Sequence, residues 1–336
     1  MEFLADLGLF TTKTIVIVGS ILVILSFLFQ ASSRNKTRSH IDIEKLNHRF
    51  RSLRRQLQGH TLSPKALKAT MKEDKKNKKK NLDPKENRIF VLDFEGDIRA
   101  SGVSSLREEV TAILSVAKPQ DEVVVRLESG GGMVTTYGLA ASQLARFKPH
   151  QIKLTVCVDK VAASGGYMMA CVADQILCAP WAIVGSIGVI AQVPNFHRLL
   201  KKHDIDYNEV TAGEFKRTVT VFGEITEPGF NKFKAQIEDT HGLFKTFVSA
   251  HRPHVDINLV ATGEHWYGTQ AKDMGLIDQI LTSDDYLFER YETTDILKVQ
   301  YLGKRKLSER LSDSLADLSS KVFFRVWSIL EKTKYD

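Results

Sequence analysis

Residues 122–132 read EVVVRLESGGG, and residues 152–166 read IKLTVCVDKVAASGG. Each begins with an apolar, β-branched run, Glu122–Leu127 or Ile152–Val158, and ends in small residues where a helical pattern starts. Near-continuous apolar runs of this length belong to strands buried on both faces. The same order recurs around them. Arg88–Glu95 reads as a strand closed by Gly96-Asp97, and Gln175–Cys178 as another. Helices are expected over Val103–Ala117 (with Ser101 as N-cap), Val134–Phe147 and Tyr167–Val172. Strands alternating with helices of these lengths predict an α/β domain with a largely parallel sheet. Small residues at the strand ends mark where such folds place their sites.

Working outward, Ala182–Val193 is apolar and punctuated by glycine. A helix at Asn195–His203, a strand at Asp206–Val210 and a loop at Thr211–Phe222 follow. Pro228–His251 reads as a long helix, 256–261 as a smaller one, and a last short helix stops at Gly275. There is no internal repeat. The three cysteines, Cys157, Cys171 and Cys178, lie in apolar runs without CxxC spacing, so they read as buried thiols and not as a disulfide or zinc framework.

The net charge of +7 is unevenly distributed. Residues 31–88 hold 18 Lys/Arg against 6 Asp/Glu, a balance of +12. Residues 1–30 carry −1 and residues 89–336 carry −4. A globular nucleic-acid reader carries its basic face on the fold, which is mildly acidic here. Nor are aromatic residues interleaved in the basic run 72–80 (KEDKKNKKK) to stack bases. Nucleic acid is therefore not indicated as a partner, and the run reads as a solvated linker.

Thr14–Phe29 carries no charge, and extension back to Leu7 gives a stretch long enough to span a bilayer, with Lys13 snorkelling. A cleaved signal peptide fits less well, because the amino end is acidic and Gln30-Ala31-Ser32-Ser33 is a weak cleavage match. Residues 7–30 are thus expected to be an uncleaved single-pass anchor. The basic residues of 34–55 then favour a cytoplasmic body by the positive-inside rule, and would meet anionic lipid headgroups. Residues 41–58 have apolar positions at Ile43, Leu46, Phe50, Leu53 and Leu57, spaced for an amphipathic helix. It would lie on lipid or pack on a partner or the body. The expected organisation is an anchor at 7–30, a basic linker at 31–87, a catalytic α/β domain at 88–285 and an amphipathic helical extension at 286–336.

Ser164 stands between a strand and a helix, followed by Gly165-Gly166, where a carbonyl could approach the backbone. It reads as a nucleophile or as a plain N-cap. Gly130-Gly131-Gly132 offers N–H groups for an oxyanion, or forms a tight turn. Neither GxGxxG nor GxxxxGK[ST] is present, so a phosphate loop is not indicated. None of the ten histidines falls next to a strand-end glycine loop within the first half of the domain, although a Ser-His-Asp arrangement stays open because its chain order varies. Lys216, beside Phe215, Val219, Val221 and Phe222, is the other candidate base, provided that burial favours its neutral amine; alternatively it is a solvated charge.

Five segments occur in one order over residues 88–280: Glu128-Ser129-Gly130-Gly131-Gly132, Ala163-Ser164-Gly165-Gly166-Tyr167, Val184-Gly185-Ser186-Ile187-Gly188-Val189, Ala212-Gly213-Glu214-Phe215-Lys216, and Gly263-x-x-Trp266-x-Gly268-x-x-Ala271-x-x-x-Gly275-Leu276-Ile277-Asp278. In these the chain resembles the SppA/SohB (signal-peptide-peptidase) family of membrane serine peptidases, the SohB branch in particular. The resemblance implies a ClpP/crotonase-like spiral fold and a Ser-Lys dyad with Ser164 as nucleophile and Lys216 as general base. It implies that Ser186 orients the lysine amine and that Gly131 and Gly165 supply oxyanion amides. It implies no metal and no cofactor. Its substrates would be unfolded or hydrophobic peptides such as remnant signal peptides. Chains with one catalytic unit would assemble as homo-oligomers with the dyad shared between subunits, in the bacterial inner membrane. The best-known members act on its outer side, opposite to the charge rule. Gly130 departs from the proline common at that position, and Glu214 and Phe215 depart from the commoner motif. A crotonase-like coenzyme A thioester enzyme and a non-catalytic membrane scaffold are the competing readings. Leu307, Leu311, Leu315, Leu318, Val322, Val326 and Ile329 form a helical apolar stripe suited to assembly, a membrane or the body.

Overall fold

Nine-residue strand β2 (Arg88–Gly96) buries Ile89, Phe90, Val91, Leu92 and Phe94 almost completely, as its apolar run requires. The structure is a computed structural model and describes residues 13–14, 18–19, 40–80 and 87–303 of the 336. The chain divides into two compact units, Ile41–Tyr301 and a second made of 1–40 and 302–336. The expected anchor at 7–30, except residues 13, 14, 18 and 19, and the stripe at 305–332 lie outside the described residues. Among the described residues no helix is long and apolar enough to cross a membrane.

After β2 come α3 (Val103–Leu114), β3 (Glu122–Ser129), α4 (Val134–Ala145), β4 (Lys153–Val158), β5 (Val161–Ala163), α5 (Gly165–Ala170), β6 (Gln175–Cys178) and β7 (Ile183–Gly185). They are preceded by β1 (His40–Lys45), α1 (Leu46–Thr61) and α2 (Pro64–Lys80). Then follow α6 (His197–Lys202), α7 (Glu227–His251), α8 (Ile257–Val260), β8 (His265–Tyr267), α9 (Gly268–Asp273), β9 (Gln279–Ile280), α10 (Ser283–Phe288) and β10 (Asp295–Leu302). The main sheet runs β1-β10-β2-β3-β4-β6-β9, and the pairings from β10 through β9 are parallel. This is the expected mixed α/β architecture built on a largely parallel sheet.

Side chains alternate across a strand, so each face of the sheet builds its own core. Phe90, Leu92, Phe94, Val123, Val125 and Leu127 join the larger cluster with α3, α4 and α5. Ile89, Val91, Val124, Cys157 and Leu177 face the other way and meet Leu46, Tyr286, Leu287, Tyr291 and Ile296. That second core corrects the expected domain limits. Residues 40–61 form a strand and a docked helix, not a linker, because the second sheet face needs an apolar cover. Residues 41–45 of the expected amphipathic helix are extended, while Leu46 and Phe50 pack on the body. The charge run 72–80 continues helix α2. Downstream, the body does not end at 285, since β10 pairs with β2 in register Asp295↔Arg88 through Lys298↔Val91.

Two local expectations also change. Ser101 is not an N-cap; its N–H donates to Asp97 Oδ1 at 2.8 Å, and Gly102 precedes α3 without a side-chain cap. Residues 206–210 form no strand, because no strand lies alongside to bond their backbone.

Asn47 locks the second core. It is fully buried; its Nδ2 donates to the carbonyls of Tyr291 and Thr294, both at 2.7 Å, and its Oδ1 accepts from Ile296 N–H at 2.8 Å. Asn47→Ala removes three hydrogen bonds to backbone groups, two of them buried, and chemical denaturation should show a loss of about 3 kcal/mol.

Two part-buried ion pairs also tie distant segments. Arg252 donates to both oxygens of Asp278 at 2.7 and 3.0 Å, and Ile176 N–H adds a third bond at 2.7 Å. Arg88 grips Asp121 at 2.6 and 3.1 Å. Burial opposes ionisation of both carboxyls, but the guanidinium and backbone donors outweigh it and hold each below its ordinary pKa of 3.8. Stability from a lowered pKa is complete above the unfolded value and disappears as pH falls through the folded one. The urea midpoint should therefore drop as pH falls from about 5 to about 3, and less steeply in Asp278→Asn.

Candidate active site

β3 pairs with β2 along Glu122–Ser129. On its other edge it pairs first with β4, over Glu122–Arg126, and then with β5, at Ser129↔Ala162. The change of partner occurs at Asp159-Lys160. There the Asp159 carboxylate accepts from Ser283 N–H at 2.8 Å and Ser283 Oγ at 2.5 Å, which pins the bend to α10. β5 then carries a ribbon of its own, parallel to β7 (Ala163↔Gly185), while β7 is antiparallel to β8 (Val184↔Trp266).

Ser164 and Ser186 are the residues that follow the paired positions Ala163 and Gly185. The Ser164 N–H donates to the Gly185 carbonyl at 2.8 Å, and the Ser186 N–H to the Glu264 carbonyl at 2.6 Å. Both serines hold left-handed φ values, 52° and 50°. A residue with a side chain in that region costs on the order of 1–3 kcal/mol, which surrounding structure must offset. Both are half-buried, and among the described residues neither hydroxyl makes a hydrogen bond. The strain turns Ser164 out of the β5 line just before α5, whose first residue, Gly165, has an N–H without an intrahelical acceptor.

The glycine turn after β3 abuts this serine. A Cβ on Gly131 (φ 89°) would fall 2.7 Å from both Gly165 N and Ser164 Cβ. Only glycine fits there. The Gly131 N–H, expected as an oxyanion donor, is engaged here, donating to Ser129 Oγ at 3.1 Å. Gly132 N–H, next in the turn, has no hydrogen-bond partner among the described residues.

Lys216 lies in the irregular segment between α6 and α7, with its N–H bonded to the Gly213 carbonyl at 3.1 Å. The expected partial burial is not found within the single chain. Lys216 is exposed, as is Phe215, and its amine makes no hydrogen bond or ion pair among the described residues. The segment has no regular backbone pairing to press it against the body. Of the histidines, His241, His251 and His254 are tied to the carbonyls of Ile187, Phe247 and Gly275.

Comparison with known proteins follows this geometry. Residues 2–144 match the N-terminal region described as Peptidase family S49 N-terminal, and residues 146–296 match Peptidase family S49. "Probable protease SohB" of Haemophilus influenzae is 47% identical over 339 residues, covering 96% of each chain. The protein of that name from Buchnera aphidicola subsp. Acyrthosiphon pisum is 52% identical, over 74% of this chain and 73% of its own. The chain belongs to peptidase family S49. A solved structure, the membrane-bound stomatin-specific protease 1510-N in complex with a substrate peptide, aligns at 13% identity and a TM-score of 0.41. That alignment covers 69% of this chain and 98% of the other. Membership of S49 makes the chain a peptidase of the serine class, so the free hydroxyls at the strand ends become the groups of interest.

Sequence reasoning missed three contributors: Ser129, Tyr137 and Asp159. In the sequence Ser129 stands out only as part of a glycine motif, and Tyr137 only as a helix residue. Their partners lie on other elements, so no local spacing announces them.

The two glycines at the turn should respond differently to a methyl group. At Gly130 nothing lies within 4 Å of an added Cβ and φ is outside the left-handed region, so Gly130→Ala should fold with stability raised by about 0.5 kcal/mol. Gly131→Ala combines strain with overlap and should lose at least about 2 kcal/mol and nearly all peptidase activity. Denaturation curves and peptide hydrolysis of the two variants measure this.

Proposed function

We propose that this S49 member is a membrane-anchored serine endopeptidase whose nucleophile is Ser164 and whose general base is Lys216. The observation that carries this reading is the strained Ser164 backbone at the β5–α5 junction. Its free hydroxyl is presented beside a glycine turn that contacts both Ser164 and Gly165. Strain of this kind persists where surrounding structure over-determines it, and it is concentrated at active sites. The off-sheet ribbon β5-β7-β8 supports a ClpP/crotonase-like spiral and not a simple open sheet.

In this mechanism neutral Lys216 takes the Ser164 proton as Oγ attacks the peptide carbonyl. Gly165 N–H and an amide of the glycine turn, Gly132 in the present arrangement, hold the oxyanion. The Lys216 ammonium then protonates the leaving amine, and water releases the acyl group by the same cycle. Ser186, one residue beyond the partner position of Ala163, orients the lysine amine.

A lysine works as a base where water is excluded from its amine. Lys216 is exposed in one chain, so its cover is supplied by a second copy, and the dyad is shared across a homo-oligomer. Exposed large apolar side chains along this part of the chain, among them Ile190, Phe196, Val210, Phe215 and Phe222, favour such an interface. Substrates are unfolded or hydrophobic peptides, including remnant signal peptides. The anchor at 7–30 holds the enzyme in the bacterial inner membrane, and the basic excess after it favours a cytoplasmic body.

Hydrolysis of a hydrophobic peptide by Ser164→Ala and by Lys216→Ala tests the dyad. Each variant alone should lose activity by at least about 10³-fold. Mixing the two after dissociation and reassembly should restore part of it, since one intact serine can then meet one intact lysine. Full activity in Ser164→Ala would exclude the mechanism.

A further inference from the structure

Tyr137 occupies the space behind the proposed oxyanion site. It is fully buried in α4, and a Cβ on Gly165 would come within 2.7 Å of Tyr137 Cδ2 and 2.8 Å of its Cβ. The ring is thus the floor on which the Gly165 backbone rests. Its hydroxyl lies 2.7 Å from the Asp97 carbonyl oxygen and 2.5 Å from Ser129 Oγ. A carbonyl can only accept, so the phenol proton goes to Asp97, and the Ser129 hydroxyl proton is left for Tyr137 Oη at 2.5 Å in preference to the Gly96 carbonyl at 3.5 Å. Gly131 N–H completes the line by donating to Ser129 Oγ. The donors all run one way: Gly131 to Ser129, Ser129 to Tyr137, Tyr137 to Asp97. Burial raises the Tyr137 pKa against the opposing effect of the Ser129 bond, which keeps the phenol protonated and the direction fixed. Hydrogen bonds chained in one direction polarise and strengthen one another.

We propose that Ser129 and Tyr137 are positioning residues that set the spacing of the oxyanion donors, Tyr137 by carrying Gly165 on its ring and by tethering the glycine turn through Ser129. The role rests on the reading of Ser164 as nucleophile. It also accounts for the engaged Gly131 amide: that N–H is the anchor of the turn, and its bond to Ser129 fixes the plane from which the neighbouring Gly132 amide projects. Loosening the tether should not weaken substrate binding. It should weaken stabilisation of the tetrahedral oxyanion, which exists only beyond the ground state.

The test uses the full chain with Tyr137→Phe, Ser129→Ala, Ser129→Cys and the double variant Ser129→Ala/Tyr137→Phe, each checked by thermal melting to be folded at the assay temperature. Hydrolysis of a fluorogenic hydrophobic peptide is read as kcat and KM, and inhibition by a boronic acid of the same peptide as affinity for a tetrahedral mimic. Tyr137→Phe and Ser129→Ala should lower kcat by about 10–100-fold, less than the loss of a donor itself, with KM within about twofold. Boronate affinity should fall by the same factor as kcat. Ser129→Cys, the same shape with a weaker acceptor, should lie between wild type and Ser129→Ala. The double variant should be no worse than the poorer single one, since the chain acts as a unit. Folded variants with kcat and boronate affinity unchanged, or with losses that appear in KM or multiply in the double variant, would overturn the proposal. Ser164→Ala is the control. If it abolishes hydrolysis while the relay variants remain fully active, the relay alone is refuted; if it leaves hydrolysis intact, the nucleophile and the relay fall together.

Discussion

Strand β3 has one edge for β2 and another that it divides between two partners, and the site exists because of that division. A strand can bond only one neighbour per edge at any point. When the chain leaves β4 at Asp159-Lys160 and re-enters as β5 beside Ser129, it must bend out of the main sheet. The bend is held by Asp159 on Ser283, and everything downstream inherits it. β5 aligns β7, β7 aligns β8, and the two serines that follow the aligned residues come to stand side by side with left-handed backbones. The glycine turn at the end of β3 necessarily faces them, since β3 and β5 end together.

The second face of the sheet obeys a different constraint. Its apolar residues, Ile89, Val91, Val124 and Leu177, would meet water if the body began at Arg88 and ended at 285. The cover comes from Leu46 and Phe50 on one side of the chain order and Tyr286, Leu287, Tyr291 and Ile296 on the other. Asn47 joins these two remote contributions with three hydrogen bonds. The basic segment is therefore not one solvated linker: its first helix is structural where it touches the sheet, while Arg49, Arg54 and Arg55 of that helix are exposed.

In the proposed mechanism the single chain supplies the nucleophile and its backbone donors next to regular strands and helices, but leaves the lysine on an exposed segment. The two parts have different tasks in such an arrangement. Donors for a transition state must be placed before the reaction, whereas a base that depends on exclusion of water can be completed by assembly. The Gly131-Ser129-Tyr137-Asp97 line belongs to the first task. It converts the position of a buried ring into the position of a surface turn.

Local sequence determined the strands at 88–96, 122–129, 153–158 and 175–178, because apolar β-branched runs bounded by small residues have few alternatives to a buried parallel strand. It also determined the long helix at 227–251 and the placement of Ser164 at a strand end. Tertiary structure alone decided the rest. Residues 206–210 have strand-like composition but no partner, whereas His265–Tyr267 are extended only because β7 lies beside them. Ser101 is not the N-cap because the helix begins one residue later, behind Gly102, and the Gly131 amide is met by Ser129. Lys216 has apolar neighbours in sequence yet stands in solvent, since burial depends on what packs across a residue and not on what precedes it. Periodicity records which face of an element is apolar; which surface covers that face, and which donor a hydroxyl meets, are properties of residues far apart in the chain.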